Sequence, residues 1–175
     1  MRLIPVRVSG LAIDERTKSP VVLLQEIEGP RVLPIWIGPT EAGAIHSEIT
    51  GKRFQRPLTH DLLVSMVEGL HGKISRVVIT DLKESTFFAN IFLDGGQGAV
   101  SIDARPSDSI AIALRSRAPI FIVDFLFDKS AQTVATTSEE PQDEKSPEAK
   151  AEELRRFLED LRPEDFGGQW KSEDL

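Results

Sequence analysis

Apolar residues fall into two rhythms along this chain. Runs such as VVLLQEI and RVLPIWI, rich in β-branched residues and parted by Glu28-Gly29-Pro30, predict a hairpin that follows a first strand starting near residue 2. ISRVVITDLK, TFFANIFL and AVSIDA predict three further strands, with GGQG at 95–98 as the turn between the last two. Between the two groups the spacing lengthens to the helical period of about 3.6. Gly38-Pro39-Thr40 starts a helix with the stripe Ala42, Ile45 and Ile49 and a stop at Gly51. Thr59 is expected to cap a second helix carrying Leu62, Leu63, Met66, Val67 and Leu70 toward Gly69 and Gly72. Ser107 is expected to cap a third, SDSIAIALRSR, and APIFIVDFLF supplies a last strand or strand-to-helix turn. This order predicts an α+β fold with a mostly antiparallel β-sheet. Arg56-Pro57 with Thr59, and Arg105-Pro106 with Ser107, lead into a helix in each half, which suggests a duplicated three-strand-plus-helix unit.

The rhythm stops at residue 130. SAQTVATTSEEPQDEKS, 130–146, has a single Val and no other large apolar residue, and reads as a disordered acidic linker. Beyond it, 147–175 begins with an amphipathic helix capped by Ser146, opened by Pro147, striped by Leu154, Phe157, Leu158 and Leu161, and ended by Pro163. The expected organisation is one domain over 1–129, the linker, and this helical tail. Charge divides at the same place. Residues 1–129 hold 15 Lys and Arg against 15 Asp and Glu, whereas 130–175 hold 6 against 13, so the formal charge of −7 resides in the tail. A neutral body can bind a polyanion locally, where a uniformly acidic one would repel it. The tail is expected to be a helix that docks on its own domain or on its dimer mate, or else a surface for recruiting a protein partner.

No apolar run reaches the roughly 18–20 residues of a membrane span, and the start lacks a signal peptide's core, so a cytoplasmic protein is expected. The chain has no cysteine, which excludes disulfides, thiolate metal sites and cysteine nucleophiles. Chemistry must come from carboxylates, histidines, hydroxyls and cations. Along AVSIDAR, strand alternation puts Val100, Ile102 and Ala104 on one face and Ser101, Asp103 and Arg105 on the other. Ser107 and Asp108 follow at a helix N-terminus, where free N–H groups attract anions. An arginine, free amides and two carboxylates thus lie close in sequence, a bed for a phosphodiester and a divalent cation. Local physics also explains each piece without function: Ser107 as a cap, Asp108 gaining about 0.3–1 kcal/mol from the helix dipole, Asp103 and Arg105 as an ion pair. Among the histidines, His71 reads as a helix C-terminal residue and His46 as a core-edge one. His60, beside Asp61, is the candidate proton shuttle or metal neighbour. There is no GxGxxG, GxxxxGK[ST], GxSxG or HExxH pattern.

LPIWIG (33–38) with Glu41-Ala42, RPLTHDLL (56–63), FFANI (87–91) and IDARPSDSIAIALR (102–115) resemble the bifunctional nuclease domain family, across nearly all of residues 1–128. Ser109 stands where that family more often has alanine. The resemblance implies an α+β domain that tends to form a homodimer and acts on nucleic acid, DNA and RNA alike; the lack of a Lys/Arg-rich block or an aromatic RNA-binding signature adds that it acts without sequence specificity. The matching polar residues are Glu41, Arg56, Thr59, His60, Asp61, Asp103, Arg105, Ser107 and Asp108. For phosphodiester hydrolysis, Asp61, Asp103 and Asp108 are the expected ligands of Mg²⁺ or Mn²⁺. Arg56, Arg105 and Ser107 would hold phosphate, and His60 or Glu41 would move the proton. This requires the two Arg-Pro turns to meet in space, within one chain or across a dimer. The alternatives are a binding or regulatory module holding an anion between Arg56 and Arg105, and a dimeric scaffold that works through its tail.

Overall fold

A computed structural model describes residues 2–95 and 98–129. The expected linker over 130–146 and the helix and tail over 147–175 lie outside these residues. The chain runs β1 (Leu3–Ile13), β2 (Pro20–Glu26), β3 (Val32–Trp36), α1 (Pro39–Ile49), α2 (Thr59–Gly69), β4 (Lys73–Lys83), β5 (Thr86–Gly95), β6 (Gly98–Ala104), α3 (Pro106–Ser116) and β7 (Ile120–Val123), followed by a helical turn at 125–129. The predicted α+β class with a mostly antiparallel sheet is what forms.

The seven strands make one sheet in the order β3-β2-β1-β7-β4-β5-β6. Two antiparallel meanders, β1-β2-β3 and β4-β5-β6, flank β7, which runs antiparallel to β1 and parallel to β4. Each meander ends in a strand that feeds a helix, β3 into α1 and β6 into α3. The duplicated unit is therefore real in outline, but its first helix is α1, reached through Gly38-Pro39. The Arg56-Pro57 turn leads into the additional helix α2, so the shared Arg-Pro is not the mark of the repeat.

The core lies between the sheet and the helices. α3 packs against α1 and α2 and rests on β4 and β5. Val22, Leu24, Leu33, Ile45, Val77, Ile79, Ile110, Ile122 and Leu126 are fully enclosed there. At roughly 1.5–3 kcal/mol for each buried aliphatic side chain, this is the driving force that fixes the helices on the sheet. α2 contributes least to it: only Val64 is buried, while Leu62, Leu63, Met66 and Leu70 of the predicted apolar stripe remain exposed. The edge strand β6 likewise leaves Val100 and Ile102 exposed. α2 ends at Gly69, and His71, with a φ of 59°, makes the left-handed turn just after it.

Candidate active site

The helix starts shift by a residue or two from those expected, and the shift organises the site. The N-caps are Gly38, Leu58 and Arg105, not Thr59 and Ser107. Counting from them, Glu41, Asp61 and Asp108 all fall at the third position of their helices, where a carboxylate can reach back to the first turn's N–H groups and meets the positive dipole end. Three acidic groups in equivalent places then take different partners.

Asp108 joins the two Arg-Pro segments. Its Oδ1 lies 3.1 Å from His60 Nε2, across 48 residues of sequence, and its Oδ2 accepts from Arg105 Nε at 2.7 Å. Arg105 Nη2 donates to Oδ1 at 3.3 Å and Nη1 pairs with Glu41 Oε1 at 2.9 Å. The result is a continuous chain, His60–Asp108–Arg105–Glu41, drawn from the starts of α2, α3 and α1. Burial pushes the Asp108 carboxyl up, but the Arg105 guanidinium and the His60 ring outweigh it and hold the carboxyl below its ordinary value. Arg105 is shifted up, first by its hydrogen bond to Asp108. His60 is largely enclosed, whereas the Arg105 side chain is 67% exposed. Beside it a shallow cavity of about 280 Å³ is lined by Glu41, Arg105, Ser107, Trp36 and Phe87 among others. Gly38 belongs to this arrangement too: a Cβ built there would overlap Glu41 Oε2.

A family model described as the bifunctional nuclease domain matches residues 22–135, a span that contains all of these groups. The chain belongs to the bifunctional nuclease domain family. Among known proteins it is similar to an uncharacterized protein of Mycobacterium tuberculosis (strain ATCC 25618 / H37Rv), 38% identical over 161 residues, which are 92% of this chain and 96% of the relative. It is also similar to Bifunctional nuclease 1 of Arabidopsis thaliana, 26% identical over 121 residues, covering 67% of this chain and 37% of the plant protein. Bifunctional nuclease 2 of the same plant is 28% identical over 111 residues, covering 62% of this chain and 34% of that protein.

Within this bifunctional nuclease domain the remaining expected site residues lie apart from the chain of four. Asp61 turns inward: its Oδ1 accepts from Arg115 Nε at 2.6 Å and its Oδ2 from the Leu58 N–H at 2.8 Å. Burial raises the Asp61 carboxyl, and these two hydrogen bonds more than reverse it. Asp103 sits on exposed β6 opposite Asn90, and its side chain has no hydrogen bond or ion pair among the described residues. Arg56 is exposed and lines a separate cleft. Ser107 is buried at the second helical position. The expected metal set of Asp61, Asp103 and Asp108 therefore does not converge, and among the described residues no three His, Asp or Glu side chains are grouped so that they could hold an ion. With both oxygens of Asp61 and of Asp108 already engaged, the residues present do not fit that metal.

Sequence reasoning overlooked Arg115. Its guanidinium is 5% exposed and donates to Asp61, to the carbonyls of Ala111 and Ala44 at 3.0 and 3.1 Å, and to Ser47 Oγ at 3.4 Å. It thereby ties α1, α2 and α3 together. A signal was available: Arg115 stands seven residues after Asp108 and four after buried Ala111, on the inward face of α3. No helix among the described residues is long and apolar enough to cross a membrane.

Proposed function

We propose that this domain hydrolyses phosphodiester bonds of DNA and RNA without reading sequence, with His60, Asp108, Arg105 and Glu41 as its centre. The observation that carries the proposal is the Asp108 carboxylate, which holds an imidazole on one oxygen and an exposed guanidinium on both. It joins a proton carrier to a phosphate ligand. The names of the plant relatives, bifunctional nucleases, support the reaction class.

The geometry gives each group its work. Arg105 donates from Nε and Nη2 to Asp108 and pairs through Nη1 with Glu41, which leaves N–H groups on its terminal nitrogens for phosphate oxygens. In the tautomer whose Nε2–H donates to Asp108, His60 Nδ1 is free to take a proton from water. As the water oxygen bonds to phosphorus and the ester P–O bond breaks, the protonated imidazole returns that proton to the leaving oxygen. Glu41 positions Arg105. No step is routed through a metal ion.

The test is cleavage of single-stranded DNA and of RNA by the full chain, with Mg²⁺, with Mn²⁺ and with chelator, for wild type, Asp108→Asn and His60→Ala. Each substitution is expected to lower the rate about 100-fold or more, the usual weight of a positioned proton-transfer group. Equal cleavage by all three would identify a contaminant and sink the assignment. Loss of activity in chelator would show that an ion is recruited from outside the chain of four. A wild type that binds but never cuts would return the domain to the binding-module reading.

We also assign the exposed stripe on α2 to the homodimer that the family resemblance implies. Leu62, Met66 and Leu70 recur at helical spacing and are 54%, 54% and 80% exposed. Sedimentation should show a wild-type dimer and a Met66→Glu monomer; a monomeric wild type refutes this contact.

A further inference from the structure

A separate cleft of about 390 Å³ has a lining that includes Lys52, Arg53, Phe54, Arg56, Asp61 and Arg115. Two of its cations are already matched. Arg115 neutralises Asp61, and Arg53 leans toward Glu48 at 3.4 Å. Lys52 and Arg56 have no ion-pair partner among the described residues, so the cleft presents two uncompensated cations. Between them is Phe54, an aromatic ring 48% exposed on a loop, with Lys52 Nζ 5.6 Å from its centroid. Core packing does not require an exposed ring there.

Cations spaced along a groove with an aromatic face between them form the pattern that binds single-stranded nucleic acid: phosphates on the cations, a base stacked on the ring. The position adds direction. Asp61 lines the cleft, and the preceding residue, His60, is the proton carrier of the proposed centre. That centre sets two carboxylates against one guanidinium and an imidazole, so it is short of positive charge for an anionic substrate. The cleft, reached one residue along the chain from His60, supplies it.

We infer that this cleft is a subsite for single-stranded polynucleotide, gripping the nucleotides that flank the bond held at Arg105. Arg56 and Lys52 contact phosphates and Phe54 stacks on a base. The inference rests on the phosphodiester reading of the adjoining site and extends it to the form of the substrate. Because stacking accepts every base, the subsite gives strand selectivity without sequence selectivity.

Binding separates the two claims. Fluorescence anisotropy of a labelled single-stranded dT oligonucleotide is measured with the full chain over a range of salt concentrations. Phe54→Ala is expected to weaken binding about 10-fold with an unchanged salt slope, since stacking releases no counterions. Arg56→Ala is expected to weaken it and to flatten the slope of log K against log salt by about 0.7, one phosphate contact on a single strand. Both side chains are exposed, so melting temperatures serve to show that the variants are folded. Arg16→Ala, in the turn after β1, should bind like wild type. The subsite is refuted if the wild type does not bind the oligonucleotide, if both cleft variants bind as tightly as wild type, or if a duplex of equal length binds as well and is indifferent to Phe54→Ala. A chain that binds through the cleft yet cuts nothing refutes the nuclease reading and leaves the subsite standing.

Discussion

Asp61 and Asp108 both occupy the third position of a helix, both accept from an arginine, and both carboxyls are held below their ordinary value of 3.8. The difference lies in the arginine. Arg115 comes from the inward face of α3, is almost fully enclosed, and spends its other donors on α1 and α3. Arg105 is the N-cap of the helix that carries Asp108, stands mostly in water, and keeps donors unspent. One pair is a tie between three helices; the other holds an exposed guanidinium in place, the group proposed to bind phosphate. The comparison teaches that an Arg-Asp contact at a helix start has no meaning until the exposure of its arginine is known.

Removing each arginine is the strongest way to break the contrast. Arg115→Ala leaves the Asp61 carboxylate with only the Leu58 N–H and takes one donor each from the Ala44 carbonyl and the Ser47 hydroxyl. Destabilisation of about 2–4 kcal/mol is expected, toward the lower edge for a broken buried pair because Asp61 keeps some contact with water. Arg105→Ala removes an exposed partner, worth about 1 kcal/mol or less, yet should abolish most cleavage. Denaturant melts and nuclease assays on both variants give the check: equal loss of stability would erase the distinction.

Acid separates the carboxylates from their arginines. Both carboxyls are depressed, so each contributes stability that is present above 3.8 and is lost as pH falls through its lower folded value. Unfolding followed below about pH 4 should therefore show a steep loss for wild type and a shallower one for either Asp→Asn variant. Only Asp108→Asn should also silence cleavage at neutral pH. A wild type whose stability is flat in that range would contradict both assignments.

The elements were legible because their apolar periods are long and unbroken; ISRVVITDLK or SDSIAIALRSR permits little else. The caps were not. Thr59 and Ser107 are good capping residues by type, yet Pro106 sits naturally at the first helical position, which makes Arg105 the cap, and the Asp61 carboxylate binds the Leu58 N–H, which makes Leu58 the cap of α2. That small shift decides which way each carboxylate faces. His60 and Asp108 could be named as candidates, but their meeting depends on α2 and α3 packing side by side, which no local pattern states. The aspartate trio failed for the same reason: Asp103 looks toward Arg105 along the strand, while the structure turns Arg105 to Glu41 and Asp108. The apolar stripe of α2 was read correctly as a stripe, but not as an exposed one.

The Glu41 end of the chain offers a subtler test. Glu41 folds back over Gly38, and a side chain there would displace its carboxylate rather than any backbone. Gly38 has an ordinary negative φ of −78°, so alanine is tolerated conformationally. Gly38→Ala should leave the melting temperature close to wild type and raise KM several-fold, because Arg105 loses one of its two anchors and samples more orientations. An unchanged KM would show that Asp108 alone positions the guanidinium.

The smallest expected effect is of opposite sign. Ser109, next to Asp108, is fully enclosed and its Oγ has no hydrogen-bond partner among the described residues. An unsatisfied buried hydroxyl costs about 1–3 kcal/mol, and removing it gives back part of that, less the contacts of one atom. Ser109→Ala should therefore raise stability by about 1 kcal/mol, read as a shift in denaturant midpoint with unchanged slope. The Arg115 tie has no such loose group, since its acceptors on α1, α2 and α3 are all matched. If Ser109→Ala instead destabilises the domain or lowers cleavage, the hydroxyl has a partner in solution, and the Asp108 turn is as fully bonded as the Asp61 turn.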